Sequence, residues 1–457
     1  MKSYQVEKLT ARNGEETLKV TLEEGRSVYL HSSYDPGREA DCWTQEIEYE
    51  PGKVLVLFGL GLGYHLKALV SVLSRDAHIM VIEPCDRIRA LAEDINEVSA
   101  LLQSPKVSLS KDWPSFKDAF TKTGFYWQDT LLLKIPAYQQ VFAEEYGSFV
   151  SKLHAQINSV LGNLCTLLTS SQNWQENCLR NLKYLGESSP VAAAFNQFKG
   201  KPLIIVSAGP SLSKNIDLLH SARGKAYILA VGTVNRLLAA KGIVPDLVTS
   251  IDGMGGNYRH HFRDVPSEGL CLLYDPAVHH MVVSQHSGPK SLMLINPGND
   301  WISKYAGKEV GQVQLGPSIA NTAFDLACKL GADPIIFVGQ DLAFTDNATH
   351  AEGTHVKGLR GFDYDISNPT HKLVTNPDST EGKSLRKLLW TEGTNGEKVR
   401  TDNKMLTYLH WFEERIADLG GTRKVINATE GGALIRGTIP LTLEEALDRF
   451  CQEDISD

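Results

Sequence analysis

Apolar residues follow two rhythms along this chain. In Leu18-Lys19-Val20-Thr21-Leu22 and Ser27-Val28-Tyr29-Leu30 they alternate with polar ones, so the polar stretch 1–50 reads as hairpin strands. From Lys53 the rhythm changes. VLVLFGLGLGYHLKALVSVL predicts an apolar strand, a glycine turn and a helix, and Ala77-HIMVIEP predicts the next strand. Strand, turn, helix, strand is a βαβ unit, the start of a doubly wound sheet. Further αβ material runs to Leu131-LLKIPAY. Over 140–190 the apolar residues recur at helical spacing, which predicts two helices joining two α/β domains.

A second α/β series opens at Lys201-PLIIVSAGPSLSKNIDLL. It continues with strands at Ala226-YILAVG and Asp246-LVTSIDG and a helix at Asn235-RLLAAKG between them. Strands are expected at Gly269-LCLLYD, Ser291-LMLIN and Pro334-IIFVGQD, with a helix at Ser318-IANTAFDLACKLG. Alternation of this kind argues for a mainly parallel sheet covered on both faces. Residues 345–400, rich in Gly, Asn, Asp, Thr and His, read as a long functional loop region. Two helical patterns, Asp402-NKMLTYLHWFEERIADLG and Leu441-TLEEALDRFCQE, flank a strand and glycine-rich turn at Lys424-VINATEGGALIRGT. The expected fold class is α/β: two Rossmann-like, mainly parallel domains plus a helical C-terminal region. Its parts are an N-terminal domain (1–140), a helical connector (141–190), a central domain (191–365) and a mainly helical C-terminal region (366–457).

Composition narrows the function. Of 457 residues, 42% are hydrophobic and 22% charged, which excludes a disordered, collagen-like or coiled-coil chain. With 46 Lys+Arg against 54 Asp+Glu the net charge is −8, so there is no overall electrostatic reason to coat nucleic acid or an anionic membrane. MKSYQVEKLTARNGEE lacks the apolar core of a secretory signal, and no stretch approaches 18 uninterrupted apolar residues, so membrane insertion is not expected. Seven cysteines, none in a C-x-x-C pair, point to a reducing cytoplasm and away from a zinc site.

Six motifs carry candidate chemistry. Gly59-x-Gly61-x-Gly63, with Glu83 closing the next strand, suits either a nucleotide turn or a tight turn without a ligand. Ser207-Ala208-Gly209-Pro210-Ser211-Leu212-Ser213 follows an apolar strand and opens a helix. Its free N–H groups, with the Ser211 and Ser213 hydroxyls, would make a phosphate site. It lacks the Lys-Ser/Thr ending of a Walker loop, which disfavours ATP hydrolysis by that mechanism. Gly232-Thr233-Val234-Asn235 and Ser250-Ile251-Asp252-Gly253 place small polar groups at the next two strand ends, the edge where open parallel sheets bind ligands. Asn235 and Asp252 would equally serve as caps or turn formers. Gly316-Pro317-Ser318 is a second candidate anion site, and Gly339-Gln340-Asp341 should set Asp341 at the same edge as Asp252. Two acids there would bind a metal, a sugar or a base, although neither has the spacing of a defined metal site. In Thr349-His350-x-x-Gly353-Thr354-His355, either histidine is a candidate general base. The pairs His260-His261 and His279-His280 have no ligand spacing.

The order SAGPSL, VGTVNRLL, PDLVTSIDG, GPSIANTAFDLACKLGADPIIFVGQDLAF, INATEGGALIRG resembles the motility accessory factor (Maf) family, as does Tyr29-LHSSYDPGREA near the start. The family's central domain is similar to bacterial sialyltransferases that use CMP-activated nonulosonic acids. That resemblance implies a cytoplasmic, inverting transfer of a pseudaminic- or legionaminic-type sugar to Ser/Thr hydroxyls of flagellin, needed for flagellar assembly. It implies that Gly209, Pro210, Ser211 and Leu212 meet the nucleotide, and Ser207, Gly232, Thr233, Asn235, Gly316, Ser318 and Asn321 are the further candidates for holding the CMP-sugar. Asp252, Asp341, His350 and His355 are the catalytic candidates. No metal and no further cofactor are expected, and homo-oligomerisation is left open. The domain is also similar to an archaeal 6-hydroxymethylpterin diphosphokinase. That leaves two alternatives: a nucleotide-dependent diphosphokinase and a non-catalytic flagellin-binding accessory protein.

Overall fold

The computed structural model describes residues 4–72, 77–295, 300–354, 372–375 and 384–455. The chain forms two compact units, Met1–Leu168 and Thr169–Asp457.

In the first unit, β1 (Gln5–Thr10), β2 (Glu16–Thr21) and β3 (Ser27–Tyr29) form the antiparallel hairpins that the alternation predicts. β4 (Val54–Phe58), β5 (His78–Ile82), β6 (Val107–Ser110) and β7 (Thr130–Lys134) form a parallel sheet in the order β6-β5-β4-β7. All five residues of β4 are buried, as a central parallel strand requires.

The predicted pair of connector helices is one helix, Ala143–Asn181. No proline occurs between Pro136 and Pro190, so nothing in that stretch removes a backbone donor and ends the helix. Phe149 and Leu153 belong to the core of the first unit, whereas Asn177 and Asn181 bond within the second.

The second unit is built on nine strands: β8 (Ser189–Pro190), β9 (Leu203–Val206), β10 (Tyr227–Val231), β11 (Leu247–Ser250), β12 (Cys271–Tyr274), β13 (Lys290–Leu292), β14 (Ile335–Val338), then, after β15 (Lys372–Thr375), β16 (Ser384–Glu392) and β17 (Lys398–Asp402), the short β18 (Val425–Asn427) and β19 (Ile439–Pro440). The sheet order is β19-β18-β14-β9-β10-β11-β12-β13-β8, and every neighbouring pair is parallel. β15, β16 and β17 form a separate antiparallel ladder. The C-terminal segment therefore contributes sheet edges as well as its helices, Asn403–Asp418 and Leu443–Phe450.

β9 and β14 are buried along their whole length, LIIV against IIFV. Burying each of those side chains contributes about 1.5–3 kcal/mol, so this pair is the rigid spine of the unit. The chain winds outward from β9 through β10 to β13, then crosses to β14 on the other side of β9. That reversal is a topological switch point, and the carboxyl edge beside such a point is where open parallel sheets bind ligands.

Candidate functional site

The loops leaving β9 and β14 carry the Ser207–Ser213 turn and the Gly339–His350 segment, which meet although about 130 residues separate them. Ser207 Oγ donates to Gln340 Oε1 at 2.7 Å. Gly209 N–H donates to the Gly339 carbonyl at 2.8 Å. Ser211 Oγ donates to Asp341 Oδ2 at 2.7 Å, and its amide lies 3.2 Å from Oδ1. Farther on, Ala351 N–H donates to the Ala208 carbonyl and Glu352 N–H to Ser213 Oγ. Approach this close explains the glycines. A Cβ on Gly209 would stand 2.3 Å from the Gly339 oxygen, and one on Gly432 2.3 Å from the Asp341 oxygen. The INATEGG turn after β18 thus packs on the same acid.

Two expectations change here. Ser211 is fully buried with both hydrogen-bonding groups committed to Asp341, and the helix it opens, Leu212–Asn215, is a single turn. Ser211 therefore does not present a phosphate site in this arrangement. The turn does bind an anion, as its geometry suggests, but the anion is the protein's own carboxyl. Asp341 in turn does not face outward at the sheet edge: it is 2% exposed and clamps one loop to the other. Burial raises its pKa, and the contacts from Thr345 and Ser211 offset only part of that.

The other candidates divide by exposure. Pro210, Leu212, Gly232 and Asn235 are buried; Asn235 Nδ2 donates to the His261 carbonyl, holding the helical turn after β11. Ser318 and Asn321 form a capping box, with the buried Gly316 packed against Asn321. Ser318 Oγ is 2.6 Å from Asn321 Oδ1, and a Cβ on Gly316 would overlap that of Asn321. This cap starts the 12-residue helix Ile319–Leu330, which packs across β9, β10, β11 and β14. Because that helix leads directly into β14, its N-terminal, positive end stands at the carboxyl edge of the sheet. Gly209, Thr233, Ser318 and His350 are half-buried and Asp252 is exposed. All five belong to segments that lie at this edge. Asp252 Oδ1 accepts from Met254 N–H at 2.8 Å, leaving its other oxygen outside that turn. His355 lies outside the described residues. Among those residues no group of three or more His, Cys, Asp or Glu is placed to hold a metal, and no helix is long and apolar enough to cross a membrane.

The glycine turn of the first unit is filled in the same manner. Glu83, from the end of β5, accepts from Leu60 N–H at 2.9 Å and from the Tyr138 hydroxyl at 2.5 Å. Tyr138 also accepts from Gly61 N–H, and His31 Nε2 accepts from Leu62 N–H. A Cβ at Gly59, Gly61 or Gly63 would collide with Tyr138, His31 or Val98. The turn's amides and the space above them are occupied by side chains.

Sequence reasoning gave little weight to residues beyond β11 and β12. Arg259, His279 and His280 gather there with Asn177 and Arg180 from the long helix. The only sequence signal was the histidine pair following a predicted strand.

The arrangement is that of a Rossmann-like, mainly parallel α/β protein with polar groups at the carboxyl edge of its larger sheet. Residues 176–347 match the family described as 6-hydroxymethylpterin diphosphokinase MptE-like. A protein of Treponema pallidum (strain Nichols), itself uncharacterised, is 33% identical over 114 residues, 25% of this chain and 51% of that protein. This chain therefore aligns with about half the length of that relative. Among solved structures, the Maf glycosyltransferase of Magnetospirillum magneticum AMB-1 has a similar fold, with TM-score 0.55 and 15% identity, covering 96% of this chain and 70% of the other.

Proposed function

We propose that the chain is a glycosyltransferase of the Maf type. It would move a nonulosonic acid of the pseudaminic or legionaminic type from its CMP-activated form to Ser/Thr hydroxyls of flagellin, in the cytoplasm. The observation that carries this reading is the fold likeness to a Maf glycosyltransferase along nearly the whole chain. The segments of Gly209, Thr233, Asp252, Ser318 and His350, all at the carboxyl edge around the switch point, support it.

In this reading the acceptor hydroxyl oxygen bonds to the anomeric carbon from the face opposite the donor phosphate. The bond to the phosphate oxygen breaks, and its electron pair leaves with CMP. The hydroxyl proton passes to an imidazole, for which His350 is the described candidate. The Asp252 carboxylate offsets positive charge growing at the anomeric carbon, and the positive end of helix Ile319–Leu330 offsets the charge of the departing monophosphate. Asp341 acts as a positioning residue, through the Ser211 turn.

The family match over 176–347 favours a second reading, a nucleotide-dependent pterin diphosphokinase. One experiment separates the two. The full chain is incubated with CMP-activated nonulosonic acid and unmodified flagellin, and in parallel with ATP, Mg²⁺ and 6-hydroxymethylpterin. Transferase activity adds whole sugar masses to intact flagellin, and His350→Ala slows that gain about 10²–10⁴-fold without lowering Tm. AMP release in the pterin arm with no mass gain on flagellin overturns the proposal. Flagellin that binds without gaining mass identifies an accessory protein instead.

A further inference from the structure

Asp252 follows β11, and the turn it opens brings a cation to the same end of the strand. β11 is the second strand out from β9, so at about 4.8 Å per strand their ends lie about 10 Å apart. A donor whose phosphate is held beside the switch point therefore reaches β11 with its sugar. The turn is braced from several sides. The Asp252 carbonyl accepts from Asn257 Nδ2 at 2.8 Å and from His279 N–H at 3.2 Å, which ties the ends of β11 and β12 together. Asn257 Nδ2 also donates to Ser250 Oγ, and Asn177 Nδ2 donates to the Gly253 carbonyl. A turn held in this way needs little further ordering when a ligand arrives.

Inside this frame Gly255 keeps a space open. A Cβ there would stand 3.0 Å from Arg259 Nη1 and 3.5 Å from His279 Nε2, so the two nitrogens face one spot. Arg259 belongs to a single π-helical turn, Tyr258–Phe262, and the Tyr258 ring lies parallel to the His279 imidazole. Turns of that kind are rare and recur at functional sites. Among the described residues no carboxylate pairs with the Arg259 guanidinium. His279 Nδ1 is buried without a hydrogen-bond partner, so the proton of the neutral ring belongs on Nε2, the side of Arg259. Burial, with His280 and the cations Arg259 and Arg180, holds the His279 pKa below its usual value, and the Asp252 carboxylate opposes them. The imidazole is therefore neutral at pH 7. The turn presents one cation, one neutral donor and, in Asp252, one anion.

We propose that Arg259, with His279 Nε2 beside it, binds the carboxylate of the donor sugar and so selects an acidic sugar over a neutral one. This assignment rests on the transferase reading and names a specificity-determining residue for it. In a nonulosonic acid the carboxylate is bonded to the anomeric carbon. The group that needs a cation and the atom at which positive charge grows are thus one bond apart, and Arg259 and Asp252 supply the two opposite charges from a single turn. The planar guanidinium fork matches a carboxylate with two parallel hydrogen bonds, which an ammonium group does not reproduce.

Isothermal titration of the full chain with CMP, CMP-legionaminic acid, CMP-pseudaminic acid and the methyl ester of whichever acid binds more tightly tests this. That acid is expected to bind more tightly than CMP, and its ester about tenfold or more weakly than the acid. Arg259→Gln changes an exposed side chain. It should weaken the acid by about tenfold or more, the effect of losing charge-assisted hydrogen bonds, and leave CMP affinity unchanged. Arg259→Lys, which keeps the charge without the fork, should recover part of the loss. Arg263→Gln, whose partner is Asp264, should bind every probe as the wild type does. Wild-type affinity for the acid in a normally melting Arg259→Gln overturns the assignment and leaves the transferase reading standing. So does an ester that binds as tightly as the acid. A wild type that binds neither CMP nor either acid refutes the transferase reading itself, and this assignment with it.

Discussion

A methyl group on Gly209 distinguishes a glycine required by the fold from one required by a ligand. In Gly209→Ala the new Cβ would lie 2.0 Å from Asp341 Oδ2 and 2.3 Å from the Gly339 oxygen. Neither neighbour can withdraw freely. Asp341 is pinned by Ser211 at 2.7 Å, and the Gly339 carbonyl accepts the Gly209 amide at 2.8 Å. Overpacking of this kind costs about 1–3 kcal/mol. Displacing Asp341 also breaks its bonds to Ser211, about 1.5–3 kcal/mol for hydrogen bonds to a charged group. The expected destabilisation is about 3–5 kcal/mol. At about 2 °C per kcal/mol for a unit of this size, Tm of the ligand-free protein should fall by about 5–10 °C. Calorimetry of the full chain without nucleotide measures it. If the variant melts within about 1 °C of the wild type, the loops are not held as described, and the glycine serves an incoming ligand instead.

Two other outcomes follow from buried charge. Burial lowers His31 to about 3, with His65 adding to the effect, and lowers His65 to about 4. Both rings are neutral in the folded state, whereas the unfolded chain takes up protons below pH 6.5. Stability is therefore complete above that pH and is lost as pH falls from 6.5 towards about 4 for His65 and about 3 for His31, by about 1.4 kcal/mol per pH unit for each ring. His65→Leu should roughly halve the loss between pH 7 and 5 in urea unfolding of the first unit, and an unchanged loss would refute the assignment. In the second unit, Asp325 is 1% exposed, accepts from Arg415 Nη2 at 3.0 Å and also accepts from Gln314 N–H. Arg415→Met should cost about 3 kcal/mol, since it strands a buried carboxylate. Lys329, 3.5 Å away, keeps the loss from being larger. A urea midpoint equal to that of the wild type would contradict that pairing.

The amino-acid order by itself determined the elements. Continuous apolar runs at Val54–Phe58, Leu203–Val206 and Ile335–Val338, short and each followed by a glycine within a few residues, read as buried parallel strands, because a strand covered on both faces tolerates no alternation. The glycine turns after β4 and β9 were legible for the same local reason, since only glycine admits such close backbone approach. What fills those turns was settled by tertiary structure. In each unit an acid from the neighbouring parallel strand, Glu83 or Asp341, supplies the anion that a ligand would otherwise bring. Strand order decides which acid reaches which turn, and strand order is a long-range property that no local pattern encodes. The same holds at β12, where Arg259, His279 and Asn177 come from separate stretches of chain and become neighbours only once β11 and β12 pair and the long helix packs beside them.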